Sequence, residues 1–291
     1  MKEDQDRPGI RSPTLYVVAT PIGNLADITL RALETLKSVD LVAAEDTRIT
    51  ARLLERYGIA TPLMSLHEHN ERRAAHKLLA LLAEGKSVAL VSDAGTPAIS
   101  DPGAAAVALA REHGYAVVPL PGANAAITAL CAAGLMAQHF LFYGFLPHGA
   151  AARRRALEAL KELPYLLVFH ESPHRVEASV ADMAEILGPG RSITIAREVT
   201  KLFETFHTCA LGEAGAWLGA DANRIKGEFV LLVDGAPAER GAGAEEARRI
   251  LAILLDELPL KQAVKLAAAI TGAPRNDLYA AALESRGAKA S

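Results

Sequence analysis

The stretch VALVSDAGTPAISDPGAAAVALAREHGYAVVP, residues 88–119, decides the fold class. It opens on Val88 to Val91, a short apolar β-rich run, and closes on a second such run, Ala116 to Pro119. Between them lies a Gly- and Pro-rich loop, Ser92 to Gly103, and a helical stretch, Gly103 to His113. A continuous apolar run of four residues suits a strand buried on both faces. Strand, loop, helix, strand is the unit of a parallel sheet covered by helices.

The same unit recurs on either side. Leu15 to Ala19 reads as a strand, Thr29 to Ser38 as a helix, and Asp40 to Ala44 as the next strand. Helical spacing returns in Thr47 to Tyr57 and Glu71 to Ala83, and again in the Ala-rich segment Ala123 to Ala133. The pattern restarts after Gly134. Strands are predicted at Phe140 to Tyr143, Tyr165 to Phe169, Ser192 to Ala196, Thr205 to Cys209 and Glu228 to Val233. Helices are predicted at Ala150 to Lys161, His174 to Leu187 and Glu213 to Leu218. The expected fold is two α/β domains, residues 14–136 and 137–235. A disordered tail, 1–13, precedes them, and a linker, 236–243, leads to a helical extension, 244–291. The last helices, joined at Thr271-Gly272-Ala273-Pro274, read either as a helix-turn-helix in outline or as a small packing cap.

Composition bounds the function. The chain has 291 residues, 51% hydrophobic and 22% charged, with 31 Lys and Arg against 34 Asp and Glu. A net charge of −3 argues against a whole-molecule clamp on nucleic acid and leaves room for local basic strips. The two cysteines, Cys131 and Cys209, form neither a C-x-x-C pair nor a disulfide framework, so the reduced cytoplasm is the expected compartment. The polar first residues lack the core of a signal peptide. The apolar run Ala123 to Ala137 is too short to span a bilayer, so no membrane role is expected. No G-x-G-x-x-G, P-loop or G-x-S-x-G stretch occurs.

Ligands collect at the carboxyl ends of parallel strands. Three stiff loops occupy that place: Thr20-Pro21-Ile22-Gly23-Asn24, Ser92 to Gly103, and Pro119 to Asn124. Their small side chains leave room for a flat, bulky ligand.

The strings LYVVATPIGNLADITLRALETLKSVDLVAAEDTR, LMSLHEHNE, VSDAGTPAISDPG, PLPGANAAITAL, FYGFLP, FHESPHR and REVTKLFET resemble the ribosomal RNA small-subunit methyltransferase I family, of the tetrapyrrole-methylase-like superfamily. The resemblance runs from about Leu15 to Asp234. It implies S-adenosylmethionine as methyl donor, bound in a cleft between two α/β domains. It also implies 2′-O-methylation of a cytidine in the decoding region of 16S rRNA, and a homodimer. By resemblance, donor contacts fall on Pro21, Ala94, Gly95, Thr96, Ile99, Asn124 and Ala125, completed by Glu171 and Ser172. Tetrapyrrole methylases tend to carry G-x-G-x-G-D after their first strand. ATPIGN stands here instead and fits the RNA-acting branch. The rivals are a small-molecule methyltransferase of the same superfamily and a non-catalytic ribosome-binding relative.

A ribose hydroxyl needs a general base or a cation that stabilises the developing alkoxide. Asp46 is a candidate, with Arg48 on phosphate; the alternative is that Asp46 caps the next helix. Lys201, Lys226 and Glu228 form a second group, to be weighed against plain surface ion pairs, and His170 is a further candidate. His67 and His69 face one side of an extended stretch, which suits substrate contact better than a two-ligand metal site, so no metal is expected. For RNA, the expected contacts are Arg48, His67, His69, Arg153, Arg154, Arg155 and Arg175; each arginine is alternatively part of a solvated face. A net-acidic chain with basic strips suits the 30S particle better than naked RNA.

Overall fold

The computed structural model describes residues 13–237 and 242–289. The expected tail up to residue 12 and part of the expected linker lie outside these residues. The chain divides into two compact units, one running to Gly235 and one starting at Ala236.

The first unit contains two sheets. The first is built from β1 (Thr14–Val18), β2 (Leu41–Ala44), β3 (Leu63–Ser65), β4 (Val88–Val91) and β5 (Ala116–Leu120). Its order is β3-β2-β4-β1-β5, and every pairing is parallel. Side chains alternate along each strand, so the central strands bury both faces. Ala89 and Val91 of β4 pack with Ala32 and Leu36 of α1 (Leu30–Ser38) and Leu54 of α2 (Thr47–Arg56). Val88 and Leu90 turn the other way, onto Leu78 and Leu82 of α3 (Glu71–Ala83) and Ala106 and Ala110 of α4 (Ala104–Glu112).

The second sheet comprises β6 (Phe140–Phe145), β7 (Leu166–Glu171), β8 (Ser192–Arg197), β9 (Thr205–Ala210) and β10 (Phe229–Val233), in the order β6-β7-β10-β8-β9. Only the β6–β7 pairing is parallel; the other three are antiparallel. One face is covered by α6 (Ala150–Leu160), α7 (Val176–Leu187) and α8 (Leu211–Gly219). The other face is covered by α5 (Ala125–Ala132), which follows the first sheet in sequence. Ala126 and Ala129 of α5 pack with Val168, Ala196, Val230 and Leu232 of the second sheet. A boundary at residue 136 therefore separates α5 from the sheet it covers.

The second unit is a three-helix cluster, α9 (Ala242–Glu257), α10 (Leu260–Thr271) and α11 (Arg275–Lys289), around Leu251, Val264, Ala267 and Leu278. Gly272 ends α10 in the left-handed region at φ 71°. Helix α9 begins two residues before the expected start of the helical extension at residue 244. Among the described residues no helix is long and apolar enough to cross a membrane.

The arginines of α6 correct one expectation. Arg153 is not an RNA contact: its side chain is 7% exposed and pairs with Asp182 of α7 at 2.6 Å. Arg154 donates to the other Asp182 oxygen at 2.7 Å and reaches Glu185. Three consecutive arginines fan over a wide helical arc, and the α7 side of that arc holds the acids. Arg155 alone of the three has no partner of this kind and is exposed. Burial works to raise the Asp182 carboxyl, but hydrogen bonds from Arg154 and Arg153 outweigh it and hold it below its ordinary value. Such a group stabilises the fold above its unfolded pKa of about 3.9, and the contribution fades as pH falls through the lower folded value. Asp182→Ala, which strands a buried guanidinium, is expected to cost about 3 kcal/mol at neutral pH in urea unfolding. The gap from wild type should narrow in acid. A variant within 0.5 kcal/mol of wild type, as for an ordinary surface substitution, would contradict this account.

Candidate active site

Because the first sheet is all parallel, the loops after β1, β2, β4 and β5 open at one edge. Those loops are bonded to one another. Thr20 and Gly95 form an antiparallel bridge, N to O at 2.9 and 3.0 Å. The Thr20 hydroxyl, buried, donates to Ser92 O at 3.0 Å, and the Thr96 hydroxyl donates to Ala123 O at 3.1 Å. The long loop is strained: Ala98 and Ser100 sit in the left-handed region, at φ 65° and 68°. Its far end is fixed by Glu71 of α3, which accepts from Gly103 N at 2.8 Å and Ala105 N at 3.0 Å. The loop tip meets β6 where its register shifts between Phe142 and Gly144. A Cβ on Gly144 would lie 2.9 Å from the Ser100 hydroxyl, so only glycine admits this approach.

Between these loops and the second sheet lies a cleft of about 410 Å³. Ala94, Gly95, Thr96, Ile99, Asn124 and Ala125 line it from the first half, and Glu171 and Ser172 from the second. Pro21 does not line it; its neighbour Ile22 does. Asn124 also caps α5, accepting from Ile127 N at 3.1 Å. Glu171 is 2% exposed and holds its own turn, accepting from Ser172 N at 2.8 Å and the Ser179 hydroxyl at 2.5 Å. Phe145, Val199, Phe229 and Val230 supply apolar wall.

The opposing wall is acidic. Glu45, Asp93 and Asp101 all line the cleft. Asp93 accepts from Asp46 N at 2.8 Å, and Glu45 accepts from Asp93 N at 3.4 Å. Burial raises the carboxyl groups of Glu45 and Asp93 above their ordinary values. Asp101 is pushed up to about 6, by burial first and then by the charge of Glu45.

Residues 14–215 match the family model for tetrapyrrole (corrin/porphyrin) methylases, and residues 241–286 match the model described as the RsmI C-terminal HTH domain. The Escherichia coli O157:H7 ribosomal RNA small subunit methyltransferase I is 54% identical over 94% of this chain and 96% of its own. The Pseudomonas aeruginosa enzyme of the same name is 51% identical over 94% and 98%. This chain belongs to the ribosomal RNA small subunit methyltransferase I family. More distant solved structures share the fold. The methyltransferase CobJ superposes with a TM-score of 0.58 at 22% identity, over 76% of this chain and 94% of its own. The uroporphyrin-III C-methyl transferase of Thermus thermophilus, complexed with S-adenyl homocysteine, gives 0.54 at 17% identity, over 75% and 96%. The helix-turn-helix outline of the sequence falls on α10 and α11, within the segment matched to the family's C-terminal domain.

Several expected residues stand elsewhere in this family member. Asp46 does not line the cleft. It is the N-cap of α2, accepting from Arg48 N at 2.8 Å, and it pairs with the Arg48 guanidinium at 2.5 Å. The Arg48 hydrogen bonds hold its carboxyl down at about 2, so it is no base at neutral pH. The preceding residue, Glu45, faces the cleft, as alternation along an extended backbone requires. Lys226 also misses the cleft. Its ammonium donates to Asn223 at 3.0 Å, and its carbonyl accepts from Arg197 at 2.7 Å.

Lys201 and Glu228 do come together at 2.8 Å, and Glu198 joins them at 2.9 Å from the same ammonium. Burial works to lower the Lys201 pKa, but the hydrogen bonds it donates to Glu228 and Glu198 outweigh it, so Lys201 remains a cation rather than a base. Gly23 of the first loop packs directly against Lys201 and leaves no room for a Cβ. Glu198 and Thr200 carry left-handed backbone, at φ 52° and 68°, so this second loop is strained as well.

His170 lines the cleft, edge-on to Phe142 and Phe145 at 5.1 and 5.4 Å between ring centroids. Its Nε2 is buried without a partner, and burial lowers its pKa. His67 and His69 stand edge to face, 5.9 Å apart, outside the cleft lining. Among the described residues no group of three His, Cys, Asp or Glu side chains is placed to hold a metal. Arg175 is a structural residue, donating to Leu146 O at 2.5 Å and Pro147 O at 3.2 Å, which leaves it ill-placed for phosphate.

Proposed function

We propose that this chain transfers a methyl group from S-adenosylmethionine to the 2′-hydroxyl of a cytidine in the decoding region of 16S rRNA, acting in the cytoplasm on the 30S subunit. The observation that carries this reading is the cleft, where eight of the nine residues expected to hold the donor line one wall system. The T. thermophilus neighbour bound to S-adenyl homocysteine has the same fold, which supports the same use of the cleft. The relatives at about half identity, aligned over nearly the whole chain, support rRNA as the acceptor.

Bound S-adenosylmethionine supplies an electrophilic methyl group on a sulfonium cation. The residues of this chain supply position, charge and dryness. Ala94, Gly95, Thr96, Ala125 and Ser172 let backbone approach a flat ligand closely, and Ile22, Ile99 and Val199 exclude water. Glu45, Asp93 and Asp101 place negative charge where a cation is to sit. In-line displacement depends chiefly on alignment, and mutually bonded, strained loops hold that alignment without reorganising. Arg155 and Arg48 are exposed cations suited to phosphate.

The active species in this reading is a homodimer. Support comes from Ile127, Met136 and Phe140, which are 52%, 96% and 47% exposed beside the open edge of β6. An apolar surface along a sheet edge calls for a cover, and a second copy supplies one.

Labelled donor, purified 30S subunits, free 16S rRNA and a tetrapyrrole acceptor test the activity together. Label on a single cytidine 2′-hydroxyl of the 30S subunit is the expected result. Label on the tetrapyrrole alone, or on no acceptor, would refute the reading. In light scattering the wild type is expected to be a dimer, and Met136→Glu with Phe140→Glu a monomer. A monomeric wild type would remove the dimer from the account.

A further inference from the structure

We propose that Phe203 stacks on an rRNA base beside the acceptor nucleotide while Lys226, next to it, holds a phosphate of the same strand. Together they keep the acceptor ribose at the mouth of the cleft. The proposal rests on the rRNA reading above and adds to it a surface that grips the RNA.

The observation is the tip of the loop that joins β8 to β9, residues 198–204. Leu202 is 89% exposed there and Phe203 65%. Water is a poor solvent for both side chains, and a loose loop would fold them inward. This loop is held open. Glu198 and Thr200 keep left-handed backbone, at φ 52° and 68°, which persists only where the surroundings impose it. Inside the loop, Lys201 N donates to Glu198 O at 2.9 Å and Glu204 N to Lys201 O at 3.2 Å. Thr200 N donates to the Glu204 carboxylate at 2.7 Å. Under the tip lies Arg197, 9% exposed, whose guanidinium donates to Phe203 O at 2.9 Å and to Lys226 O at 2.7 Å. One buried cation thus fixes the backbone of an exposed aromatic residue beside that of an exposed lysine. The Lys226 ammonium bonds only the uncharged Asn223 among the hydrogen bonds of the described residues and keeps its charge for a ligand.

The tip stands at the rim of the cleft. Val199 of the same loop lines the cleft, and so does Glu228, which Lys201 bonds; Phe203 does not. The acid wall inside repels phosphate, so the nucleotides flanking the acceptor stay outside. A nucleotide that enters a cleft alone leaves the stack of its own strand, and an aromatic side chain can replace the neighbour that a base has lost. Stacking on an aromatic ring with a cation on the backbone is how single strands are held. The acids of the loop do not oppose this, because Glu204 is engaged with Thr200 and Glu198 with Lys201.

The alternative cover is a second copy of the chain. The apolar surface read above as the dimer face lies beside β6, and the sheet order puts β6 and β9 at opposite edges. A stable protein interface takes about twenty residues a side. Two side chains on a narrow tip match a base instead.

The experiment measures kcat/KM for methyl transfer to 30S subunits with full-length Phe203→Ala, Phe203→Leu, Phe203→Trp and Lys226→Ala. S-adenosylhomocysteine affinity, urea midpoint and light scattering are recorded for each. Phe203→Ala and Phe203→Leu should each lose roughly ten- to a hundredfold, and Phe203→Trp should stay near wild type, because stacking needs a ring and not merely an apolar group. Donor-product affinity and urea midpoint should match wild type throughout, since the tip is exposed and outside the cleft lining. Raising the salt should narrow the deficit of Lys226→Ala, which lacks a phosphate contact, and leave that of Phe203→Ala unchanged. Phe203→Ala or Phe203→Leu at the wild-type kcat/KM would overturn the proposal. So would a Phe203→Ala variant that turns a dimeric wild type into a monomer, which would give the tip to a second copy. A wild type that binds S-adenosylhomocysteine but methylates no RNA would fail the functional reading first, and this proposal with it.

Discussion

The site depends on where α5 is buried. The helix leaves the first sheet at β5 yet spends its apolar face on Val168, Ala196, Val230 and Leu232 of the second. Its N-cap, Asn124, and its first residue, Ala125, are thereby carried to the second sheet while the preceding chain stays bonded to the first-sheet loops through Thr96 and Ala123. A helix that packed on its own sheet would leave the two halves free to part. Packed as it is, it fixes the distance between the sheets, and the cleft is what remains between them.

Charge then divides the labour. The wall of Glu45, Asp93 and Asp101 suits a sulfonium cation and repels phosphate. In the proposed reading an RNA acceptor enters with its ribose toward the cleft and its backbone toward cations outside it. The Lys201 side chain sits at the junction, its ammonium bridging Glu198 and Glu228 and its aliphatic stem against Gly23 of the loop after β1. It ties the strained loop after β8 to the loop after β1. Two strained loops facing each other across one cleft, on rigid sheets, describe a site assembled before its ligands arrive.

The elements most legible in the sequence are those whose pattern is set locally. The four apolar residues of β4 and the spacing of α3 were placed to the residue, because full burial and one-sided burial leave different periods. Strand β3, only Leu63–Ser65, was missed: three half-buried residues leave no period to read. The antiparallel pairings of the second sheet and the allegiance of α5 are matters of topology, which periodicity does not carry. The donor wall was legible because small, stiff loops announce themselves in composition. The acid wall was less so. Asp46 is the acid that the sequence points to after β2, yet it caps α2 and its neighbour Glu45 faces the cleft. Arg153 looked like its neighbours until Asp182, 29 positions on, was seen beneath it.

The central claim is that the donor lies in the cleft between the two sheets. The most direct measurement is calorimetric binding of S-adenosylhomocysteine to the wild type and to Ala125→Trp, which fills the cleft from its α5 side. The account predicts one molecule bound per wild-type chain and no detectable binding to the variant, with the urea midpoints of the two proteins alike. Equal binding to both would place the donor elsewhere and contradict the account.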